Sequence, residues 1–188
     1  MTVPEGWKRR KLGNLLKTLR NGYVCAQSRS GEGLPISRIE TISHGVVDPD
    51  SVGYAEIPLA DRDKFKMQVG DILLSHINSL KHIGKSALYT EDINLYHGMN
   101  LMLLRAERGI VTPDFLHSIL ISDNARNHIR RYAKQAINQA SVNKKDIAKM
   151  DVLLPPLPEQ KKIAAILSSV DETIQATRET IEQTKKVK

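Results

Sequence analysis

Six histidines (His44, His76, His82, His97, His117 and His128), one cysteine (Cys25) and a few acidic–basic pairs are the side chains here that could act as ligands, nucleophiles or acid–base groups. Their spacing does not assemble a site. The histidines are scattered without a metal-ligand set, and a lone cysteine excludes an internal disulfide or a cysteine-rich zinc site. Gly31-x-Gly33 lacks the third glycine and the strand–helix context of a dinucleotide loop. Pro113-Asp114 and Glu159-x-Lys161 can be forced into a nuclease-like pattern, but both fragments are better explained as helix starts. Pro155-Pro156 lies between Leu154 and Leu157, without the preceding Asp or Asn and the following aromatic that an adenine methyltransferase uses. The expectation is a chain that is not an enzyme, with no catalytic residue, no metal and no cofactor of its own.

Binding chemistry remains. A formal charge of +7 over 188 residues points to a polyanionic partner, with a well-solvated basic surface as the alternative. The charge is uneven. Residues 1–40 carry eight Lys/Arg against Glu5, Glu32 and Glu40, and residues 126–149 carry seven against Asp146 alone. These two segments either converge on one phosphate-binding face or are unrelated surface charge. Aromatic residues make up only 4% of the chain, which argues against stacking on single strands and favours duplex DNA. The polar break at residues 75–85 offers Ser75, His76, Asn78, Ser79, Lys81, His82 and Lys85 to base edges or phosphates, with Gly84 allowing close backbone approach. Asn138 and Gln139 carry amides that can pair bidentately with adenine, and Arg29 and Arg38 can reach guanine or phosphate.

These residues need a scaffold. Forty per cent hydrophobic and 26% charged is a globular balance, and no apolar run approaches the roughly 20 residues needed to span a bilayer. The first residues lack the layout of a signal peptide, so a cytoplasmic location is expected. Glycine-punctuated residues 1–110 read as short strands, among them 34–42, 71–77, 83–89 and 100–104. Thr112-Pro113-Asp114 predicts a helix running to about Tyr132, 133–143 reads as a loop, a short helix covers 143–149, and a strand covers 150–154. Pro158 then starts a helix that continues to the C-terminus, with Glu159 and Gln160 suiting its positive end.

About 31 helical residues extend roughly 46 Å. Ile163, Leu167, Val170, Ile174 and Ile181 recur at three- and four-residue steps, with Thr177 and Thr184 continuing one seam position. A stripe that long predicts a partner helix, with the threonines loosening the seam; the alternative is a helix folded back on its own domain. The fold class expected is α+β. A strand-rich DNA-binding domain with flanking helices covers residues 1–155, and a long coiled-coil helix for dimerisation and spacing covers 156–188.

Four stretches in order resemble the specificity (S) subunits of type I restriction–modification systems. They are Val3-Pro4-Glu5-Gly6-Trp7-Lys8 through Leu12-Gly13, then Phe65-Lys66-Met67-Gln68-Val69-Gly70-Asp71-Ile72-Leu73-Leu74-Ser75, then Gln139-Ala140-Ser141-Val142-Asn143, and last Leu154-Pro155-Pro156-Leu157-Pro158-Glu159-Gln160 with the helix after it. The resemblance implies a non-catalytic target recognition domain that reads one half of a bipartite duplex DNA site. It implies helices that dock methyltransferase (M) subunits carrying S-adenosylmethionine, and restriction (R) subunits beyond them. Family members usually have two recognition domains and two helical regions, whereas this chain has one of each. A half-length subunit that forms a homodimer through antiparallel helices, or a fragment, is therefore expected. A basic coiled-coil DNA-binding adaptor with no methyltransferase partner is the other reading that stays open.

Overall fold

The computed structural model describes residues 3–137 and 139–186. In chain order the strands and helices are β1 (Lys8–Lys11), β2 (Leu16–Asn21), β3 (Leu34–Ile36), β4 (Gly53–Ala55), α1 (Leu59–Phe65), β5 (Asp71–Ser75), β6 (Ile77–Asn78), β7 (Ser86–Leu88), β8 (Leu101–Ala106), α2 (Pro113–Ile121), α3 (Asp123–Tyr132), β9 (Lys134–Ala136), β10 (Gln139–Ser141), α4 (Lys144–Ala148), β11 (Asp151–Leu154) and α5 (Leu157–Lys186).

The central antiparallel sheet runs β2-β8-β5-β7. Its two inner strands are apolar on both faces because each face covers a different core. Ile72, Leu74, Met102 and Leu104 point into the larger core, which is completed by α2, α3, α4, β11 and the start of α5. Leu73, Leu101 and Leu103 point the other way, against Ile42, Met67, Tyr89 and Leu95. A strand buried on both sides reads as a continuous apolar run instead of an alternating one. Asp71 opens β5 from a buried position, where Arg105 grips both carboxylate oxygens at 2.6 and 2.8 Å and the Gln68 amide donates at 2.8 Å.

Three departures from the sequence expectations have local causes. The helix expected from Pro113 to Tyr132 is two helices. Ser122 is extended (φ −66°, ψ 156°) and its hydroxyl accepts from the Ala125 amide, so it caps α3 where α2 ends. Residues 133–143, expected as a loop, form the hairpin β9–β10, and β10 also pairs with β6. Residues 34–42 are a three-residue strand and a separate 3-10 turn at Glu40–Ile42. The cap at Thr112 is where the sequence places it, and Asn143, expected as the start of the short helix, is its cap.

The junction with α5 is closed by polar contacts. Gln160 is 1% exposed, and its amide nitrogen donates to the carbonyls of Ile110 (3.0 Å) and Pro155 (2.9 Å) while its oxygen accepts from the Thr112 amide (3.0 Å). Glu159 accepts from the Trp7 indole at 3.1 Å, and β1 pairs with β11 directly beneath. The role expected for these two residues was helix-dipole compatibility; their observed role is to bind the helix to two distant parts of the domain, Trp7 and the segment before α2, and to the nearby Pro155 carbonyl. Ala164 is buried and Ile163 packs on the larger core, so the first turns of α5 belong to the domain and lie against α2. Beyond them α5 stands free of the core. At 30 residues it is about 45 Å long, and no described helix is long and apolar enough to cross a membrane.

Gln160→Met keeps the volume and removes the amide, leaving the Ile110 and Pro155 carbonyls and the Thr112 amide without this buried partner. We expect a loss of about 3 kcal/mol, or ~10 °C in Tm; a melting temperature within ~2 °C of the parent would refute the lock. Two buried histidines add a pH dependence. Burial pushes His76 down to about 4 and His97 down to about 3; at His97 the Arg20 and His76 charges act in the same direction and a hydrogen bond to the Leu101 carbonyl opposes them. Both are neutral when folded, while the unfolded chain protonates them near pH 6.5. The unfolded state therefore binds more protons below that pH, and stability falls as pH drops from about 6.5 toward 4. Urea midpoints should be lower at pH 5 than at pH 7, with a smaller difference in His76→Gln.

Candidate nucleic-acid interface

Strand β5 delivers the chain to residues 75–85, and the base of that segment is pinned. The Ser75 amide donates to the Lys85 carbonyl and the Gly84 amide to the Ser75 carbonyl, both at 2.8 Å. Gly84 has φ +84° and is buried, and a Cβ there would sit 3.2 Å from Ile129 on α3. The glycine thus serves packing against α3, and it also lines the cleft between this segment and α3. Ser75 and His76 are also withdrawn from the surface, at 0% and 5% exposure, which corrects the expectation that they face a ligand. The amide of Asn78 is spent internally, donating to Ser75 Oγ at 3.1 Å and accepting from the Ser79 amide at 2.8 Å. Lys81 is exposed and His82 half-buried, with the turn held by the His82 and Ile83 amides on the Ser79 carbonyl. Lys85 reaches across to donate to the Ser43 carbonyl at 2.8 Å.

This segment meets α3 at a cleft of about 470 Å³. Lys81, Lys85, Arg126 and Arg130 line it with Ser43, His44 and His117, and Asp171 of α5 is its one carboxylate. Burial holds His117 below the usual histidine range; a hydrogen bond to the Ser86 backbone and the charges of Asp114 and Asp171 act the other way. A neutral histidine leaves the cleft with four cations against one anion, a field suited to phosphate. Arg126 and Arg130 belong to the basic segment 126–149 that the sequence offered for a phosphate-binding face, but they were not among the individual DNA contacts named from it. Their signal was present as an i, i+4 basic pair one turn beyond a serine cap.

The β6-β10-β9 sheet carries Gln139 to the same neighbourhood, because Ala140 pairs with Asn78 and Ser141 with Ile77. Gln139 is exposed; Asn138 lies outside the described residues. Arg29 and Arg38 line a separate cleft of about 500 Å³, where both face Glu40 at 3.2 and 3.4 Å and Arg38 also donates to Gln27. Lys8–Lys11 lie exposed along β1. Of the two basic segments, only the later one lines the cleft beside residues 75–85.

Along α5, Ile166, Leu167, Val170, Ile174 and Ile181 are 43–64% exposed. Ile163 leaves the expected seam for the core, and Ile166 joins the exposed set. The Thr177 and Thr184 hydroxyls donate back to the carbonyls of Thr173 and Thr180 at 2.8 Å. With the hydroxyls so satisfied, the methyl groups can continue an apolar seam. Among the described residues, no three His, Cys, Asp or Glu side chains cluster as metal ligands would.

Residues 4–186 match the family described as type I restriction modification DNA specificity domain. The chain is 42% identical over 188 residues to a putative type I restriction enzyme MjaX specificity subunit of Methanocaldococcus jannaschii, covering 99% of this chain and 44% of that one. It is 31% identical over 160 residues to the type I restriction enzyme EcoKI specificity subunit of Escherichia coli K12, covering 84% and 34%. The fold is similar to that of the HsdS subunit from Thermoanaerobacter tengcongensis, with a TM-score of 0.69 at 19% identity over 95% of this chain and 45% of that one. The chain thus spans less than half the length of these relatives. On this evidence the chain belongs to the type I restriction–modification DNA specificity family.

Proposed function

We propose that this chain reads one half of a bipartite duplex DNA target and holds adenine methyltransferase subunits at a set distance from it. The observation that carries the reading is the union of a four-cation cleft with a rod fixed to the same domain through Gln160. Lys81, Arg126 and Arg130 contact phosphates, while His82, Gln139 and Asn138 are the candidates for base edges. Arg29 and Arg38, already shared with Glu40, are candidates for a more distant phosphate. S-adenosylmethionine belongs to the methyltransferase subunit, restriction subunits can join through it, and the assembly works in the cytoplasm. The chain's own part is to read and to position, without catalysis. The exposed stripe on α5 supports antiparallel pairing with a second copy, which would present two recognition faces and a palindromic, interrupted site.

A tagged chain recovered from its native host tests the reading. Co-purification of an adenine methyltransferase, identified by mass spectrometry, is the expected result. Recovery with only itself and DNA would leave a stand-alone adaptor. For the cleft, Arg126→Ala and Arg130→Ala should each weaken binding to all duplexes and reduce the log–log salt slope by about 1; an unchanged slope would remove the cleft from the interface. For the rod, Leu167→Asp or Ile174→Asp should abolish self-association by light scattering. An unchanged molar mass would rule the pairing out.

A further inference from the structure

The hairpin β9–β10 carries an unusual tip. Ile137 is 94% exposed, the highest value among the exposed large hydrophobic side chains of the described residues. It follows directly on Ala136, which pairs with Gln139 where the hairpin narrows. The root is firm, with Ala140 buried at 1%, Ser141 paired to Ile77 of β6, and the Val142 amide donating to the His76 carbonyl at 2.9 Å. The outer strand is exposed at every position. An isoleucine on a firmly rooted, projecting arm cannot be explained by packing within its own domain.

The surroundings select the occupant. No Asp or Glu occurs from Asn124 to Lys145, and Arg130, Arg131 and Lys134 precede the tip and are exposed. Gln135 and Gln139 flank it with exposed amides. Cationic and amide groups around a single bare aliphatic side chain match a groove of duplex DNA, where isoleucine is among the apolar wedges that enter a base step and unstack it. Through β6 the arm is built onto the segment that also lines the cationic cleft, so one docking event would engage both.

We propose that Ile137 is a wedge that inserts at one base step of the target and contributes specificity through the deformability of that step. This rests on the DNA-binding reading above. Flexible pyrimidine–purine steps open most readily, so the preference would fall on such a step without any hydrogen bond to its bases.

The test uses the full chain without methyltransferase, so that no base flipping by a partner contributes, and a duplex selected by the chain from a randomised library. 2-Aminopurine placed in turn along that duplex reports unstacking. Binding should raise its fluorescence at one step, and Ile137→Ala should abolish the rise and weaken binding to the selected duplex by about tenfold. Ile137→Leu should retain both. Because the side chain is exposed, the thermal melt should be unchanged in either variant. Failure to select any duplex would overturn the DNA reading itself. Selection followed by identical binding and fluorescence for Ile137→Ala would overturn the wedge alone. In a separate capture assay with the methyltransferase added, Ile137→Ala that binds DNA normally but no longer captures that subunit would make the tip a protein contact, and the wedge would fall.

Discussion

The side-chain amide of Gln160 is sealed from water, and its three hydrogen bonds bring together parts of the chain that are otherwise far apart. Ile110 and Thr112 lie just before α2, and Pro155 lies just after β11. The rod, the last strand and the first long helix of the domain therefore share one polar anchor. Any tilt of α5 at its base would break these bonds inside a site that water cannot repair, so the cost is that of unpaired buried groups and not of a flexible hinge. The Trp7–Glu159 contact and the β1–β11 pair add the N-terminal strand to the same joint. The Leu-Pro-Pro-Leu-Pro-Glu-Gln stretch is thus a mechanical junction, with its prolines setting the entry of the chain and its last two side chains locking it.

From that joint the domain is organised around a sheet buried on both faces. One face packs on the helices that continue to the rod, and the other on the smaller core beside Ile42 and Tyr89. The Asp71–Arg105 pair closes the entry to β5 and leaves neither partner free for a ligand. The exit of the same strand carries residues 75–85. A short rigid path therefore leads from the proposed reading face, through β5 and its packing on α2, to the root of α5. On the proposed function, this path links the face that reads DNA to the root of the helix that holds other subunits.

Much of this was legible in the sequence where one physical rule dominated. Residues 72–74 of β5 and 101–104 of β8 are unbroken apolar runs, the caps at Thr112 and Asn143 have the side chains that caps require, and the heptad steps of α5 leave a visible stripe. Other features depended on contacts that no local pattern encodes. The partners of Gln160 lie up to 50 residues away, so its amide reads from sequence only as a polar first-turn residue. The β9–β10 hairpin lies at an edge with little burial, and its polar composition is that of a loop. Ser122-Asp123-Asn124 is a cap signal, but it sits inside an otherwise helical stretch and reads equally as a polar turn of one helix. At the candidate site the polar break at 75–85 was evident, but the inward turn of Ser75 and His76 and the arrival of Arg126 and Arg130 were set by tertiary packing.

A single distance distribution tests the central claim that reading face and rod form one rigid body. Nitroxide labels at Lys81 and Arg178 in a Cys25→Ser background, diluted with unlabelled chain, report it by double electron–electron resonance. The account predicts one narrow distance population that keeps its width when duplex DNA is added. A broad distribution, or several populations in the free chain, would mean that α5 swings relative to the domain and would contradict a fixed spacing.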